Sequence, residues 1–173
     1  MPEAAEAELR AQIERTRSAG INPTHIDAHM AAAMLPELLS CHVRLGHDSG
    51  LLPVLPRKIR FAPDSMSYDA TVAALERAAL PVVDHIRGTL PIPAEAVEPG
   101  YRKLVEELPA GVTQFALHCT APGDVEAITP QHAPGRTNEY ALFASGAVAE
   151  WCAAIGVVPS GHREIQRLWW KAR

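Results

Sequence analysis

The sequence has few cysteines, no basic tract and no long apolar run, and each shortage excludes a class of protein. The formal net charge is −4, without the clustered Lys and Arg that displace counterions from nucleic acid. Three cysteines without CxxC spacing argue against a disulfide framework and a thiolate zinc site. No apolar run approaches the roughly 20 residues of a membrane span. We therefore expect no nucleic acid partner, no membrane association and a cytoplasmic location.

Apolar and charged residues are present in the proportions of a globular protein. Hydrophobic residues make up 47% of the chain and charged residues 21%, which leaves enough apolar material for a core. A chain of 173 residues falls within the usual length of one domain. The composition therefore predicts a single domain over residues 1–173.

Short apolar runs alternate with helix-like stretches along the chain. The runs predict five strands, at Thr24–His29, Leu52–Leu55, Pro81–His85, Gln114–His118 and Val157–Pro159. Helices are predicted from Pro2 to Gly20, then at Pro36–Leu45, Asp69–Ala79, Tyr101–Leu108, Ser145–Ile155 and Arg163–Trp170. Crossovers of this length join parallel strands, but five strands are too few to close an eight-stranded barrel. We predict an α/β fold, a partial TIM-like βα barrel with parallel strands.

The segment NPTHIDAH, from Asn22 to His29, concentrates residue types that bind metals. In an extended strand His25, Asp27 and His29 would point to one face. His29 lies nearest the carboxyl end of this strand, where βα folds place their chemistry, and imidazole is the commonest metal ligand. We predict that His29 binds a metal and that His25 makes a structural hydrogen bond. Asp27 would either bind the metal or orient His29.

A second apolar run, FALH, ends in His118 and repeats this arrangement. Two histidines at the carboxyl ends of different parallel strands can converge on one ion and leave positions open for water or substrate. We therefore predict that His29 and His118 share a divalent ion, and zinc is expected for two histidines with one carboxylate. Cys119 would point away from His118 in a continuing strand, so it is predicted to be a buried packing thiol.

Blocks of sequence along the whole chain are similar, in the same order, to blocks of a known protein family. The opening ELRAQIERTRSAGINPTHIDAHM is similar to a family helix followed by its Thr-His-x-Asp-Ser-His motif, with Ala28 in the serine position. The blocks LPVLPR, LPVVDHIRG, ELPAGVTQFALH, NEYALFASGAVAEW and SGHREIQRLW follow in the family's order. These blocks resemble the YdjC/ChbG-like carbohydrate deacetylase family. The resemblance implies a metal-dependent deacetylase of N-acetylated oligosaccharides, with His29 and His118 as its two metal-binding histidines, and it allows Mg as well as Zn.

One family feature is absent from the sequence. The family's first strand carries an Asp-Asp-x-Gly type motif that supplies the catalytic base, and this chain contains no Asp-Asp pair. We therefore expect a member that lacks its N-terminal segment and its first strands. Turnover would be impaired, because amide hydrolysis needs a carboxylate to take a proton from the attacking water. Asp27 is the nearest carboxylate in the sequence, and it would act as an orienting group or as a substitute base.

Several further residues have open interpretations. A long loop is predicted at residues 122–138. Arg136, Asn138 and Glu139, at the end of this loop and just beyond it, would either contact sugar hydroxyls or cap a helix. His42 and His47 are predicted to be solvated. Missing strands would expose sheet edges, which predicts a homo-oligomer.

Two alternative functions remain open. The first is a non-catalytic, degenerate family member that binds metal or carbohydrate. The second is another metal hydrolase or isomerase on a βα barrel, because fold alone does not determine function.

Overall fold

The computed structural model describes residues 2–58, 65–88 and 93–171. The chain divides into two compact units: a first unit formed by Met1–Asp84 with Ser160–Arg173, and a second unit formed by His85–Pro159. Both units combine helices with short parallel strands. The predicted α/β class is therefore confirmed. No helix among the described residues is both long and apolar enough to cross a membrane.

The first unit is built around a short parallel sheet. Strand β1 (His25–Ile26) pairs with β2 (Leu52–Pro53), with His25 opposite Leu52, and Pro56 forms an isolated parallel bridge with Val83. The helices are α1 (Pro2–Ser18), α2 (Pro36–Ser49), α3 (Ser65–Arg77) and α8 (His162–Lys171), with a 3-10 helix at His29–Met34. One core cluster comprises Met34, Leu39, Leu55, Tyr68, Val72 and Leu75. These side chains hold α2 and α3 together by apolar burial.

Helix α2 is longer than predicted. The helix was predicted to end at Leu45, but it continues to Ser49, and Gly50 ends it in the left-handed region, at φ 69°. Gly46 is instead buried in the helix interior. A Cβ on Gly46 would lie 3.0 Å from the Leu51 carbonyl oxygen and 3.1 Å from the Pro53 ring. Glycine is therefore used here for close packing of helix against strand.

The second unit contains the longer sheet. Strand β3 (His85–Gly88) pairs in parallel with β4 (Thr113–Ala116), with His85 opposite Thr113. The helices are α4 (Val97–Glu106), α5 (Val125–Ile128), α6 (Ala133–Ala144) and α7 (Ala147–Ala154), with a 3-10 turn at Ala94–Ala96. The buried core consists of Val97, Tyr101, Val105, Leu142, Val148 and Cys152. Its members come from α4, α6 and α7, so these helices pack on one another.

The predicted strands at Thr24–His29 and Pro81–His85 differ from the observed ones. The first ends at Ile26, and a 3-10 helix begins at His29. The prediction of one continuous strand that places three polar side chains on one face is therefore wrong. The second is displaced, because β3 begins at His85 rather than ending there. The strand ends shift because hydrogen bonding to neighbouring strands, rather than apolar content, determines where pairing occurs.

The strand predicted at Val157–Pro159 and the long loop predicted at residues 122–138 are also wrong. The Val157 N–H donates to the Cys152 carbonyl at 2.8 Å, and Gly156 adopts φ 74°, so this backbone closes α7 as a helix C-cap. The loop prediction rested on Pro and Gly content. Pro134 lies in the first turn of α6, where a proline is tolerated because that N–H has no helical partner.

Candidate functional site

His29 lies just beyond the carboxyl end of β1. It is exposed, and it begins the 3-10 helix His29–Met34. The preceding Ala28 is still extended, at φ −115° and ψ 102°. His29 was predicted as the last residue of this strand, but it lies three residues beyond β1 because the strand ends at Ile26. An exposed imidazole in this position is able to contact a ligand.

The backbone after His29 adopts a conformation that L-residues rarely take. Met30 has φ 59° and Ala31 has φ 58°, both in the left-handed region and neither a glycine. Each such residue costs on the order of 1 kcal/mol. The Met30 side chain is 88% exposed, so no apolar burial of that side chain offsets the cost. Backbone strain of this kind clusters at functional sites, which draws attention to the turn that carries His29.

Asp27 and His25 have separate surroundings. Asp27 is exposed, and its Oδ1 accepts the Ala28 N–H at 2.8 Å, which orients the carboxylate. His25 Nδ1 is hydrogen-bonded to Thr24 Oγ1 at 2.9 Å, as predicted for a structural histidine. The His25 ring also stacks on His162, with centroids 3.9 Å apart. His25 is thus held by its neighbours, whereas Asp27 faces solvent.

His118 lies two residues beyond the carboxyl end of β4, and it is exposed. The turn that follows folds back on itself, since Thr120 Oγ1 donates to the His118 carbonyl at 3.1 Å. The Thr120 N–H also donates to the Arg136 carbonyl of α6 at 3.3 Å. Cys119 is exposed, so its prediction as a buried thiol is wrong. The turn is therefore anchored on α6 by its backbone.

Arg136 and Glu139 lie within α6, one helical turn apart. Glu139 is 1% exposed and accepts a short hydrogen bond from the Tyr101 hydroxyl. Although Cys119 is exposed, partial desolvation of its thiol raises its pKa, and the nearby Glu139 charge raises that pKa further. Neither residue caps α6, because both lie inside the helix. The observed contact of Glu139 is with the core, and a contact of Arg136 or Glu139 with sugar remains a prediction.

His42 is a buried residue that sequence reasoning missed. It was predicted to be solvated, but it is 3% exposed on α2, and its buried Nε2 has no hydrogen-bond partner among the described residues. Burial lowers its pKa, and the charge of Asp27 opposes that shift. The apolar neighbours Leu39 and Leu45 recur at helical spacing around it, and this amphipathic pattern was the available signal.

The candidate ligands are residue types that bind divalent ions, but too few of them lie together to form a complete ligand set. Imidazole and carboxylate are ordinary ligands of zinc and related ions, and His29, His118 and Asp27 are all exposed. However, no three His, Cys, Asp or Glu side chains gather as a potential metal site in residues 2–58, 65–88 and 93–171. His29 belongs to the first unit and His118 to the second. The described residues therefore supply candidate ligands without forming a complete ligand set.

Comparison with known proteins identifies similar sequences and a similar fold. A family model described as YdjC-like protein matches residues 1–154. A carbohydrate deacetylase from Thermus thermophilus is 37% identical over 57 residues, which cover 33% of this chain and 21% of that relative. A solved structure from Enterococcus faecalis, named for cellobiose-phosphate cleavage, matches with a TM-score of 0.67 and 19% identity. This match covers 95% of the chain and 61% of the solved chain, and at this identity it supports the fold alone.

Proposed function

The chain belongs to the YdjC-like protein family, and from that premise we propose that it acts in metal-assisted deacetylation of N-acetylated oligosaccharides. The observation that carries the proposal is the exposed histidine just beyond a parallel strand in each unit, His29 after β1 and His118 after β4. Chemistry in βα folds occurs at this end of the strands. The 37% identity to a carbohydrate deacetylase supports the choice of reaction.

In this proposal His29 and His118 bind a divalent ion, Mg or Zn. When bound, such an ion supplies polarisation of the acetyl carbonyl. Water adds to that carbonyl carbon, the amide C–N bond breaks, and acetate and a free amine leave. Asp27 faces solvent with one oxygen held by the Ala28 N–H, so its other oxygen is available to take a proton from water. Asp27 is the proposed substitute base or orienting group.

The remaining parts of the proposal concern the fold, the cellular location, the oligomeric state and the sugar-contacting residues. We propose a partial TIM-like βα barrel, a single domain over residues 1–173, a cytoplasmic location and a homo-oligomer that covers the open sheet edges. Arg136 and Glu139 are the proposed sugar-contacting residues. Glu139 is buried and hydrogen-bonded to the equally buried Tyr101, so Arg136 is the more accessible of the two. Size-exclusion chromatography with light scattering tests the oligomer, and a stable monomer would argue against it.

A second candidate function is a non-catalytic member that binds metal or carbohydrate. One observation favours it: the chain contains no Asp-Asp pair, the motif that supplies the catalytic base in the family it resembles. The two functions share the histidines and differ in turnover. An assay for acetate released from N-acetylglucosamine oligomers separates them, because only the enzyme produces acetate above the uncatalysed background.

The metal proposal is tested by titrating the protein with Zn and with Mg in a calorimeter. The His29→Ala and His118→Ala variants are each expected to weaken binding by about tenfold or more, since each removes a ligand. His132→Ala is the matched control, because His132 is also exposed and makes no side-chain capping bond at the start of α6. Metal binding that persists unchanged in both ligand variants would eliminate the proposal.

A further inference from the structure

Tyr101 of α4 and Glu139 of α6 form a polar pair inside the core of the second unit. Tyr101 is 0% exposed and Glu139 is 1% exposed, and the Tyr101 hydroxyl donates a short hydrogen bond to the Glu139 carboxylate. Burial of a carboxylate costs free energy that its hydrogen bonds have to offset, and apolar residues of similar shape often fill such a volume without loss of stability. Stability alone therefore does not explain the pair.

A buried hydrogen bond restricts how two helices pack, because it needs a defined distance and direction, whereas apolar contacts tolerate small shifts. The pair thus defines one placement of α6 against α4. This placement matters for the turn that carries His118. Arg136, one helical turn before Glu139, accepts the Thr120 N–H through its carbonyl at 3.3 Å, and Thr120 Oγ1 donates to the His118 carbonyl at 3.1 Å. The turn after His118 is therefore attached to α6 next to Glu139.

Helix α6 also contacts the strand that precedes His118. Phe143, about one helical turn after Glu139, meets the Tyr101 ring edge-on, with centroids 5.2 Å apart and planes at 87°. The same Phe143 ring lies 6.3 Å from the ring of Phe115, which belongs to β4. Helix α6 therefore touches the chain on both sides of His118, through an aromatic contact before it and a backbone hydrogen bond after it.

We propose that Glu139 and Tyr101 are positioning residues for His118. Their hydrogen bond fixes α6 against α4, and α6 in turn holds both sides of the segment that presents the exposed imidazole. Neither residue touches metal or substrate in this role, so the buried Glu139 needs no contact with sugar. The inference rests on the proposed function, in which His118 binds the metal, and it adds the residues that hold this ligand in place.

Hydrogen exchange of the full chain tests the positioning without metal or substrate. The Thr120 amide reports the bond to α6, and the amides of α7 serve as the reference within the same unit. In Tyr101→Phe and Glu139→Leu we expect the protection of Thr120 to fall about threefold or more relative to α7, as for the loss of one hydrogen bond. Glu139→Gln should keep the wild-type ratio, because its amide oxygen still accepts from the Tyr101 hydroxyl.

Two control variants separate positioning from general stability. Tyr140→Phe removes a hydroxyl from α6 at a residue that is 43% exposed, and it should leave the ratio unchanged. Val148→Ala removes apolar contacts from the same core and destabilises the unit without removing either member of the pair, so it should not lower the ratio. An unchanged ratio in both Tyr101→Phe and Glu139→Leu, or an equal fall in Val148→Ala, would overturn the proposal.

The His118 ring provides the second readout. Its imidazole NMR signals should shift in Tyr101→Phe and Glu139→Leu and stay in place in Glu139→Gln, and zinc affinity should fall about threefold or more in the first two variants alone. A wild type that binds no zinc would refute the proposed function, while the hydrogen exchange and the His118 signals would still decide the positioning. Unshifted His118 signals in both pair-disrupting variants would refute the positioning role.

Discussion

Replacing Gly46 by alanine tests the close packing of α2 on β2. In an open helix interior this change stabilises a protein by about 1 kcal/mol, because alanine is the better helix former. At Gly46 the added Cβ would meet the Leu51 carbonyl at 3.0 Å and the Pro53 ring at 3.1 and 3.2 Å. Neither group is the flexible end of a side chain. Overpacking of this kind costs roughly 1–3 kcal/mol.

The two terms predict a net loss for Gly46→Ala of about 1 kcal/mol, or about 2–4 °C in melting temperature for a chain of this size. Gly135 provides the matched control. It also lies inside a helix, α6, but no atom lies within 4 Å of the position that a Cβ would take there. Gly135→Ala should therefore stabilise the protein by about 0.5–1 kcal/mol.

Thermal and urea unfolding of the two variants and the wild type measure the difference. The reasoning requires opposite signs at the two glycines, although the chemical change is identical. If Gly46→Ala raises the unfolding free energy as much as Gly135→Ala does, the close contact with Leu51 and Pro53 does not constrain this position. The interpretation of Gly46 as a packing residue would then be wrong.

Three further predictions concern buried or strained groups. The free energy of unfolding of the wild type should fall as the pH drops below about 6.5. His42→Leu should reduce this slope by up to about 1.4 kcal/mol per pH unit. The sign follows from burial, which lowers the folded-state pKa of His42, so the unfolded chain takes up the proton first. Tyr101→Phe should cost about 1.5–3 kcal/mol, because it removes a hydrogen bond to the buried Glu139 carboxyl. Ala31→Gly should stabilise by about 0.5–1 kcal/mol, because φ 58° suits glycine; denaturant unfolding measures all three.

Each of these predictions has a contrasting outcome and a control. His132→Leu, at an exposed histidine, should keep the wild-type acid slope, and an equal slope in His42→Leu would contradict the buried-histidine argument. Tyr140 is 43% exposed, so Tyr140→Phe should change stability by less than about 0.5 kcal/mol. A loss of stability in Ala31→Gly would mean that the turn after His29 is not strained.

Local sequence patterns predicted the features that depend on neighbouring residues. The first helix was predicted from Pro2 to Gly20, and α1 spans Pro2–Ser18 with Gly20 at φ 78°. The alternation of apolar runs with helix-like stretches predicted parallel strands, and the paired strands in both sheets are parallel. His29 and His118 were predicted at strand ends, and they lie three and two residues beyond β1 and β4. These features follow from caps, periodicity and turn residues, which act over a few residues.

Tertiary contacts decided the features that depend on distant residues. His42 is buried and Gly46 is packed because α2 lies against strands and a helix that the sequence does not place beside it. Glu139 points into the core because Tyr101, 38 residues away, donates to it. The family was recognisable in the sequence by itself, whereas metal binding by His29 and His118 stays a prediction. Burial and the attachment of α8 to β1 required the folded chain, because long-range packing selects among conformations that local preferences leave open.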